Sequence, residues 1–407
     1  MSNNKCLICG SSSFKELLHI DQFPILFGAV PLERKGKVKK YPLTVAVCNE
    51  CSLTQQINPL PGSVLDDVYT ADYYSCPAPS GNQVGMRVIN EFYSFFGKNI
   101  PNNRKDAHAK NTRGKLLEIG CFDGYLLTRL RKDHWDVYGC DPAGQTSIAI
   151  ENLGSDRIVN DFFSRDTYPS NHFEVIIFRH LLEHLYDLHS FLEAVSYALK
   201  EEGCIFIEVP NIYATFNFGG FGSFFHQHIS HFSIETLQAL LRQHNFIIEE
   251  YDETSVLHVK AKKGKDAGLA NENKVLGDIE SRKKEFLEKY HRIEKEIERI
   301  FAHPHNKKIA IFGASAVATT MVNMIDQEKR MKVSCIFDND SSKHGKFIEG
   351  VDVPIASPEK VKTESFDVVI IGSYIFSDEI YAQLTELGVD KNKIISLTDH
   401  VFSINER

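Results

Sequence analysis

One pattern constrains the fold of this 407-residue chain most strongly, because it occurs twice: a strand, a glycine turn, a helix, a second strand and an acidic residue. The first copy begins with the apolar run Lys115–Ile119, turns at Gly120 and reaches Asp141 at the end of the next apolar run. The second copy begins with the apolar run 307–312, also turns at a glycine, and reaches Asp338. Strands that alternate with helices form βαβ units and a parallel sheet. The sequence therefore predicts an α/β protein with two Rossmann-like units.

Composition and charge narrow the class of protein. The chain has 43% hydrophobic residues, and its 46 basic and 54 acidic residues give a net charge of −8, which disfavours general binding to nucleic acid. No window approaches the roughly 18 apolar residues of a membrane span, and the N-terminus lacks the apolar stretch of a secretory signal. Nine cysteines are too few for a disulfide scaffold of this length. We therefore expect a cytoplasmic protein without nucleic-acid or membrane partners, as a monomer or, alternatively, as a dimer.

Four cysteines near the N-terminus form two Cys-x-x-Cys pairs. Cys6 and Cys9 make the first pair, and Cys48 and Cys51 make the second. Two such pairs can present four thiolates to one tetrahedral Zn²⁺, which would be structural because no coordination position stays open. The alternatives are a chance pattern, buried apolar cysteines or a redox motif, although a redox motif needs no second pair. We predict a zinc-binding domain over residues 1–75.

The first glycine turn has the features of a nucleoside site without a pyrophosphate. Gly120 and Gly124 let the backbone approach a ligand closely, whereas Phe122 occupies the place of the middle glycine in a dinucleotide fingerprint. Asp141 is placed to accept hydrogen bonds from two ribose hydroxyls. Asp161 is placed to accept a hydrogen bond from the adenine amino group. A single glycine turn is also common as a structural turn, but the combination favours S-adenosylmethionine. The predicted cofactor-binding residues are Glu118, Gly120, Asp123, Gly124, Asp141, Pro142, Asp161, Phe162, Phe178 and His180.

Changes in composition divide the rest of the chain. Residues 82–265 are predicted as the methyl-donor domain, and the charge-rich residues 271–303 as a connecting helix, with a coiled-coil dimer as the alternative. The unit over 305–407 lacks the Gly-x-Gly-x-x-Gly spacing of a dinucleotide site. We therefore do not expect that unit to bind a redox cofactor in addition to the nucleoside ligand of the first unit.

The order of these parts resembles the S-adenosylmethionine-dependent nucleotide-sugar C-methyltransferase family, which acts on nucleotide-linked deoxy-ketosugars. The resemblance implies a class I methyltransferase Rossmann-like domain, a small N-terminal zinc-binding domain and a C-terminal Rossmann-like domain. It also implies a role in deoxysugar biosynthesis, in which a base removes a proton beside a ketone and the enolate takes the methyl group. The segments that carry the resemblance are 41–43 (YPL), 72–75 (DYYS), 118–127 (EIGCFDGYLL), 225–233 (FHQHISHFS), 312–316 (FGASA) and 337–340 (FDND).

A histidine cluster carries the catalytic residues that the resemblance implies. His228 takes the position of the base, and His226 is placed to orient substrate or to stabilise the oxyanion. Gln227 and Phe225 stand where the family usually has glutamate and tyrosine, so the acceptor or the methylated position can differ from that of other members. His231 completes the cluster. The alternative is a set of histidines whose hydrogen bonds are purely structural.

The resemblance implies further residues outside this cluster. His184 matches a family histidine near the sugar, although its Leu-Glu-His-Leu context is also common as a structural feature of methyltransferases. Tyr73 and Tyr74 lie in a segment that reaches the active site in the family, and Tyr74 fits slightly better. Ser315 at a helix start and Lys343 are expected to bind the diphosphate of the substrate, the alternative being a purely architectural C-terminal domain. At the level of function, the alternatives are O- or N-methylation of a related sugar or small metabolite, or a non-catalytic ligand-binding module.

Overall fold

A computed structural model describes residues 5–26, 28–65, 83–100, 112–217, 222–264, 272–374 and 376–397. The chain divides into two compact units. Unit 1 comprises Met1–Lys15, Ala46–Ala214 and Gln227–Gly277, and unit 2 comprises Glu16–Val45, Thr215–His226 and Asp278–Arg407.

The strands and helices alternate along most of the described chain. The strands are β1 (Phe14–Pro24), β2 (Ala29–Val30), β3 (Lys40–Cys48), β4 (Thr54–Ile57), β5 (Lys115–Ile119), β6 (Asp136–Cys140), β7 (Ile158–Val159), β8 (Phe173–Arg179), β9 (Leu199–Pro210), β10 (Ser230–His231), β11 (Phe246–Glu253), β12 (Val256–Lys263), β13 (Ile309–Phe312), β14 (Val333–Phe337), β15 (Phe347–Ile348), β16 (Ile355–Ala356), β17 (Val368–Ile371) and β18 (Ile394–Ser396). The helices are α1 (Gln83–Asn99), α2 (Tyr125–Lys132), α3 (Thr146–Leu153), α4 (Leu188–Ala198), α5 (Ile212–Asn217), α6 (Ile234–Gln243), α7 (Glu272–Ala302), α8 (Ala316–Met324), α9 (Gln327–Arg330) and α10 (Ser377–Glu386). Short 3₁₀ helices span Leu32–Arg34, Leu182–His184, Ser341–Lys343, Pro358–Lys362 and Lys391–Lys393.

Unit 1 is built on a seven-stranded sheet of order β11-β12-β9-β8-β5-β6-β7. Strands β5 to β9 pair in parallel, and β12 runs antiparallel to both β9 and β11. The chain leaves β5 towards β6 and β7 and returns to build outward from β8, so the strand order reverses between β5 and β8. In open α/β sheets, ligands bind at the carboxyl ends of the strands beside such a reversal. The structure confirms the predicted Rossmann-like α/β fold and places the first glycine turn at that reversal.

Burial on both faces explains why the strands of this sheet read as continuous apolar runs. On one face, Phe92, Phe95 and Phe96 of α1 form a cluster with Trp135 and Phe206. On the other face, side chains of α4 and α6 pack on the sheet. The sheet is therefore a fixed platform from which only the strand ends and the following loops are available for chemistry.

Unit 2 contains a five-stranded parallel sheet of order β16-β14-β13-β17-β18. The segment 16–45, which the sequence predicts as part of an N-terminal domain over 1–75, clusters with this unit instead. The reason is a set of long-range contacts: β2 pairs antiparallel with β15, and the Gly28 amide donates to Thr319 Oγ1 at 2.9 Å. The structural division therefore differs from the predicted domain boundaries.

Helix α7 coincides with the connecting helix predicted from the charge-rich segment. Its apolar stripe, including Phe286, Ile293 and Ile297, is buried within unit 2, where Phe286 contacts the rings of Phe216 and Phe224. This packing accounts for the apolar stripe, and the connecting role of the helix stays a prediction. None of the helices in the described part of the chain combines the length and the apolar character needed to cross a membrane.

Candidate functional site

The four N-terminal cysteines lie together in unit 1. Their Sγ atoms are all within 4.8 Å of one another, with Cys6 and Cys51 at 3.3 Å and Cys9 and Cys48 at 3.6 Å. A tetrahedron of sulfurs at about 2.3 Å from a zinc ion has edges of about 3.8 Å, so the spacing fits one Zn²⁺.

Contacts between the sulfur atoms shift the pKa values of these thiols in opposite directions. A hydrogen bond with Cys51 lowers the pKa of Cys6 to about 5, and the same contact raises the pKa of Cys51. Neighbouring thiols that shift in opposite directions cannot all ionise without a compensating positive charge. The four residues could hold zinc as a closed, structural site.

The first glycine turn is wound through a left-handed backbone. Gly120, Phe122 and Gly124 have φ values of +79°, +49° and +71°. A Cβ on Gly124 would lie 2.8 Å from the Cβ of Ala149, closer than real Cβ atoms come. Gly124 is therefore required for both conformation and packing, and the turn brings the start of α2 close to α3.

Asp141 is fixed at the end of β6 by two backbone amides. Its Oδ2 accepts from the Phe122 amide at 2.9 Å, and its Oδ1 accepts from the Ala143 amide at 2.8 Å. Burial raises the pKa of this carboxyl, although both amide bonds act against that shift. Each carboxylate oxygen can accept more than one hydrogen bond, so the oriented group remains able to bind a ribose diol.

Glu118 is a buried acidic residue near the end of β5, just before the turn. Its side chain is 3% exposed, and burial raises its pKa to about 8. Its Oε2 has no hydrogen-bond partner among the described residues. A buried carboxylate of this kind favours a positively charged ligand, and S-adenosylmethionine carries a sulfonium and an ammonium group. The turn, Asp141 and Glu118 together fit that cofactor.

Asp161 and Phe162 follow β7, where the sequence predicts contacts with adenine. The Asp161 carboxylate accepts from the Phe162 amide at 2.7 Å, and its main-chain oxygen accepts from the Cys140 thiol at 3.0 Å. The Phe162 ring is 53% exposed, which is unusual for such a side chain. An exposed ring beside an oriented carboxylate can cover a purine.

Three other predicted cofactor residues have mainly structural surroundings. Asp123 is 2% exposed, and its carboxylate accepts from the Tyr125 amide at 3.1 Å, where α2 begins. Pro142 continues the loop after Asp141. The Phe178 side chain is fully buried and packs edge-on against Phe191 in the core, so a contact with the cofactor would involve its main chain and stays a prediction.

A buried ionic network centred on Glu208 contacts His180, whose side chain is 40% exposed. Glu208, which is inaccessible to solvent, accepts from Arg179 at 2.7 Å, from His258 Nε2 at 2.8 Å and from His180 Nε2 at 3.1 Å. Burial alone would raise the pKa of Glu208, but Arg179 and the histidines outweigh it and hold the pKa well below its usual range. Desolvation likewise opposes a charge on His180, but Glu183 and Glu208 raise its pKa to about 10. Both carboxylates therefore favour the protonated form of His180.

A second cluster brings together Glu183, His184 and His228. Their possible ligand atoms all lie within 4.8 Å of one another. His184 Nδ1 lies 2.8 Å from the Gln227 carbonyl oxygen, and burial lowers the pKa of this histidine. A carbonyl oxygen can only accept, so Nδ1 carries the proton and Nε2 the lone pair of neutral His184. Gln227 thus contributes its main chain to the site.

The backbone of the histidine segment is fixed on three sides. The Ile229 amide donates to the Glu183 carbonyl at 2.7 Å, and the Gln56 side chain donates to the His228 carbonyl at 2.7 Å. His231 follows in β10, which pairs antiparallel with β4. Burial lowers the pKa of His231 to about 3, so that ring is neutral and lies 5.8 Å from the His228 ring.

His226 and Phe225 belong to unit 2, although they precede His228 directly in sequence. His226 is 1% exposed, its Nε2 lies 3.2 Å from the Phe23 carbonyl oxygen, and it contacts the rings of Phe23 and Tyr41. Phe225 is also buried. These surroundings are those of core residues within unit 2. Tyr73 and Tyr74 lie outside the described residues.

The second glycine turn, in unit 2, positions Ser315 and Lys343. Ser315 caps α8 by accepting from the Val317 amide at 3.0 Å. Lys343 Nζ lies 3.0 Å from Asp338 Oδ2 and 3.2 Å from the Ala314 carbonyl oxygen. The Ala314 amide, which directly precedes Ser315, donates to Asp338 Oδ2 at 2.7 Å. Ser315 and Lys343, which are expected to bind a diphosphate, therefore both bind other groups of unit 2 in this structure.

Sequence reasoning missed four residues of these clusters: Arg179, Glu183, Glu208 and His258. Two signals were present. Glu208 is a charged residue inside the apolar run of β9, and such a residue needs a partner. Glu183 lies three residues after His180 and directly before His184, so one short turn presents all three.

Two family descriptions match parts of this chain. The description "Methyltransferase domain" matches residues 91–251, and the description "C2185-like, N-terminal" matches residues 305–395. The first match contains the parallel strands β5 to β9 of unit 1 and ends before β12, and the second contains β13 to β17 of unit 2.

Curated relatives match either the whole chain or its methyltransferase region. C-methyltransferase NovU of Streptomyces niveus is 23% identical over 409 residues, covering 93% of this chain and 91% of NovU. Ubiquinone biosynthesis O-methyltransferase of Rhodopseudomonas palustris is 23% identical over 164 residues, which cover 37% of this chain and 64% of that protein.

Solved structures resemble the chain over about half its length. The 1,6-didemethyltoxoflavin-N1-methyltransferase of Burkholderia thailandensis, with bound 1,6-didemethyltoxoflavin and S-adenosylhomocysteine, has a TM-score of 0.39 and 14% identity, covering 53% of this chain and 97% of that one. The PH0226 protein of Pyrococcus horikoshii has a TM-score of 0.36 and 15% identity, covering 48% and 95%.

Proposed function

We propose that this chain, an S-adenosylmethionine-dependent methyltransferase, methylates a nucleotide-linked deoxy-ketosugar at the carbon beside its ketone. The observation that carries the proposal is the cluster of Glu183, His184 and His228 in the methyltransferase unit. Similarity to a C-methyltransferase over 93% of the chain supports the choice of carbon as the acceptor atom. The cofactor, when bound, supplies an electrophilic methyl group on its sulfonium.

In this proposal, His228 takes the proton from the carbon next to the ketone. A histidine suits this role because its usual pKa, near 6.5, leaves it largely neutral at physiological pH. This proton transfer creates a positive imidazolium and a negative enolate. The buried Glu183 carboxylate lies close enough to His228 to stabilise the imidazolium. Glu183 therefore supplies the carboxylate that Gln227 does not.

His184 presents a hydrogen-bond acceptor, and not a donor, to the rest of the cluster. Its Nδ1 proton is committed to the Gln227 carbonyl, so in its neutral form Nε2 accepts and cannot donate. His184 thus does not protonate His228 or the substrate carbon from that position. Its role is to position His228, with which its ring makes an edge contact at 5.0 Å.

We further propose that Zn²⁺ bound by Cys6, Cys9, Cys48 and Cys51 stabilises the N-terminal part of unit 1. The cluster joins residues on both sides of the 16–45 segment that clusters with unit 2. A metal that crosslinks two short segments contributes stability that they cannot obtain from a core of their own.

The test is to incubate the protein with S-adenosylmethionine and a 4-keto nucleotide sugar in D₂O and to analyse the product by NMR. The proposal predicts a new carbon-bound methyl group and deuterium at the carbon beside the ketone in recovered substrate. Methyl transfer without any exchange at that carbon would contradict the enolate.

An O-methyltransferase is the second candidate, because residues of the methyltransferase unit match O-methyltransferases of ubiquinone biosynthesis. That function needs a base for a hydroxyl group and no enolate. The same NMR spectrum separates the two candidates, since a methyl group on oxygen resonates apart from one on carbon.

A further inference from the structure

Glu183, His184 and His228 form a compact set of metal-ligating side chains, separate from the four cysteines. Each offers one ligand atom, and these atoms lie within 4.8 Å of one another. We infer that these three residues form a second metal site, which binds a divalent transition-metal ion such as Zn²⁺ through two imidazoles and one carboxylate.

The orientation of His184 supports this inference. Its Nδ1 donates to the Gln227 carbonyl at 2.8 Å, which leaves the lone pair on Nε2. Metal-binding histidines characteristically donate their other ring N–H to a carbonyl or carboxylate, because this fixes both the tautomer and the ring plane. The main chain of Gln227 provides that support here.

The Glu183 carboxylate is a second, independent observation. The side chain is 1% exposed, and neither carboxylate oxygen accepts a hydrogen bond of good geometry from the described residues. His180 Nδ1 lies 3.3 Å from Oε1, an ion-pair distance that leaves Oε2 for another cation. His180 therefore balances part of the charge of this buried carboxylate, and Oε2 can serve as a ligand atom for a metal ion shared with two imidazoles.

The ligand set determines which metal fits. Two histidines and one carboxylate are a set found at zinc sites that keep an open coordination position, and imidazole also suits other divalent first-row metals. The set contains no sulfur, so it differs chemically from the cysteine cluster. The Ile229 amide, which donates to the Glu183 carbonyl at 2.7 Å, ties the two ligand-bearing segments together before a metal binds.

Occupation of this site has a consequence that rests on the proposed function. A metal bound to His228 takes the lone pair that the proposed base needs, so the metal and the proton compete for the same nitrogen. Binding itself does not depend on the proposed function, whereas inhibition does.

The experiment uses the full chain after addition of one equivalent of Zn²⁺, followed by titration with Co²⁺. We expect one further equivalent to bind with weak visible d–d bands and without intense thiolate-to-cobalt charge transfer. Glu183→Gln, which keeps the side-chain shape, and His184→Ala should each weaken Co²⁺ binding by at least about 10-fold. Glu193→Gln, which alters an exposed carboxylate on α4, should leave it unchanged.

Two results would overturn the site: no further equivalent bound by the wild-type protein, or a further equivalent whose affinity is the same in Glu183→Gln and His184→Ala. Circular dichroism and melting of each variant show whether it is folded. Deuterium exchange into the 4-keto nucleotide sugar, measured with and without the bound metal, then separates the two proposals. Metal binding without loss of exchange would contradict the base role of His228 and leave the metal site standing.

Discussion

The two glycine turns of this chain use the same backbone device with opposite outcomes. In unit 1, Asp141 accepts from the Phe122 amide and from the amide two residues further on; in unit 2, Asp338 accepts from the Ala314 amide and from the Asp340 amide. In unit 2, Lys343 also lies 3.0 Å from Asp338. Because a lysine of the same unit already lies beside Asp338, we expect Asp141, and not Asp338, to bind a ligand.

The first prediction concerns the cysteine cluster, which lies in unit 1. Cys48→Ser should abolish stoichiometric zinc binding and amide-exchange protection in residues 46–57, with β13 and β17 of unit 2 unchanged. Structural zinc contributes on the order of 10 kcal/mol of binding free energy, so this is the largest expected effect. Zinc analysis and hydrogen–deuterium exchange check it, with Cys204→Ser as the control. A zinc-replete, fully protected Cys48→Ser protein would contradict the structural site.

The second prediction compares the two acids directly. Asp141→Asn should weaken binding of S-adenosylhomocysteine by about 100-fold, because hydrogen bonds to a charged group contribute about 1.5–3 kcal/mol each. Asp338→Asn should leave the affinity within about twofold, since that carboxylate binds Ala314 and Lys343. Calorimetric titration of both variants measures the difference. Equal losses in the two variants would remove the distinction between the turns.

The third prediction tests the packing of the ligand-side turn. Gly124→Ala places a Cβ 2.8 Å from Ala149, which adds an overpacking cost of about 1–3 kcal/mol to the left-handed backbone cost of roughly 1–2 kcal/mol. Gly388→Ala in unit 2 is the matched control, because its φ is +89° but nothing lies within 4 Å of its Cβ. Urea unfolding should show a clearly larger loss of stability for Gly124→Ala. Similar losses would mean that the close contact relaxes freely.

The fourth prediction uses the pH dependence of Glu118. Its folded pKa of about 8 lies above its unfolded value of about 4.3, so the folded state binds the proton more tightly. The relevant quantity is the difference in free energy of unfolding between the wild type and Glu118→Gln. This difference should fall as the pH rises from about 4.3 to about 8, and then level off. Denaturant unfolding across this range measures it. A difference that does not change with pH would show that Glu118 is ionised in the folded protein.

Much of the fold could be predicted from the sequence because buried parallel strands are local features. The limits predicted for Lys115–Ile119 and Val333–Phe337 agree with β5 and β14, since strands covered on both faces are continuous apolar runs bounded by turns. The association of residues 16–45 with unit 2 was not predictable. It depends on the pairing of Phe347 with Val30, which is distant in sequence and has no local signature.

For the candidate site, too, features set by local spacing could be predicted from the sequence, whereas contacts between distant segments could not. The glycine turn and Asp141 follow from spacing, because the βαβ connection determines where each lies. The ionic network of Arg179, Glu208 and His258 joins three different strands, so no spacing rule connects its members. Proximity in sequence can also mislead. His226 and His228 are only two residues apart, but they belong to different units.

The most direct test of the account is the rate of deuterium exchange at the carbon beside the ketone of a 4-keto nucleotide sugar, with S-adenosylhomocysteine present so that no methyl group is transferred. The account predicts exchange by the wild-type protein and by His291→Ala, an exposed histidine on α7. It predicts a loss on the order of 10²-fold or more for His228→Gln, with unchanged affinity for S-adenosylhomocysteine. Exchange at the wild-type rate in His228→Gln would contradict the central claim that His228 is the base.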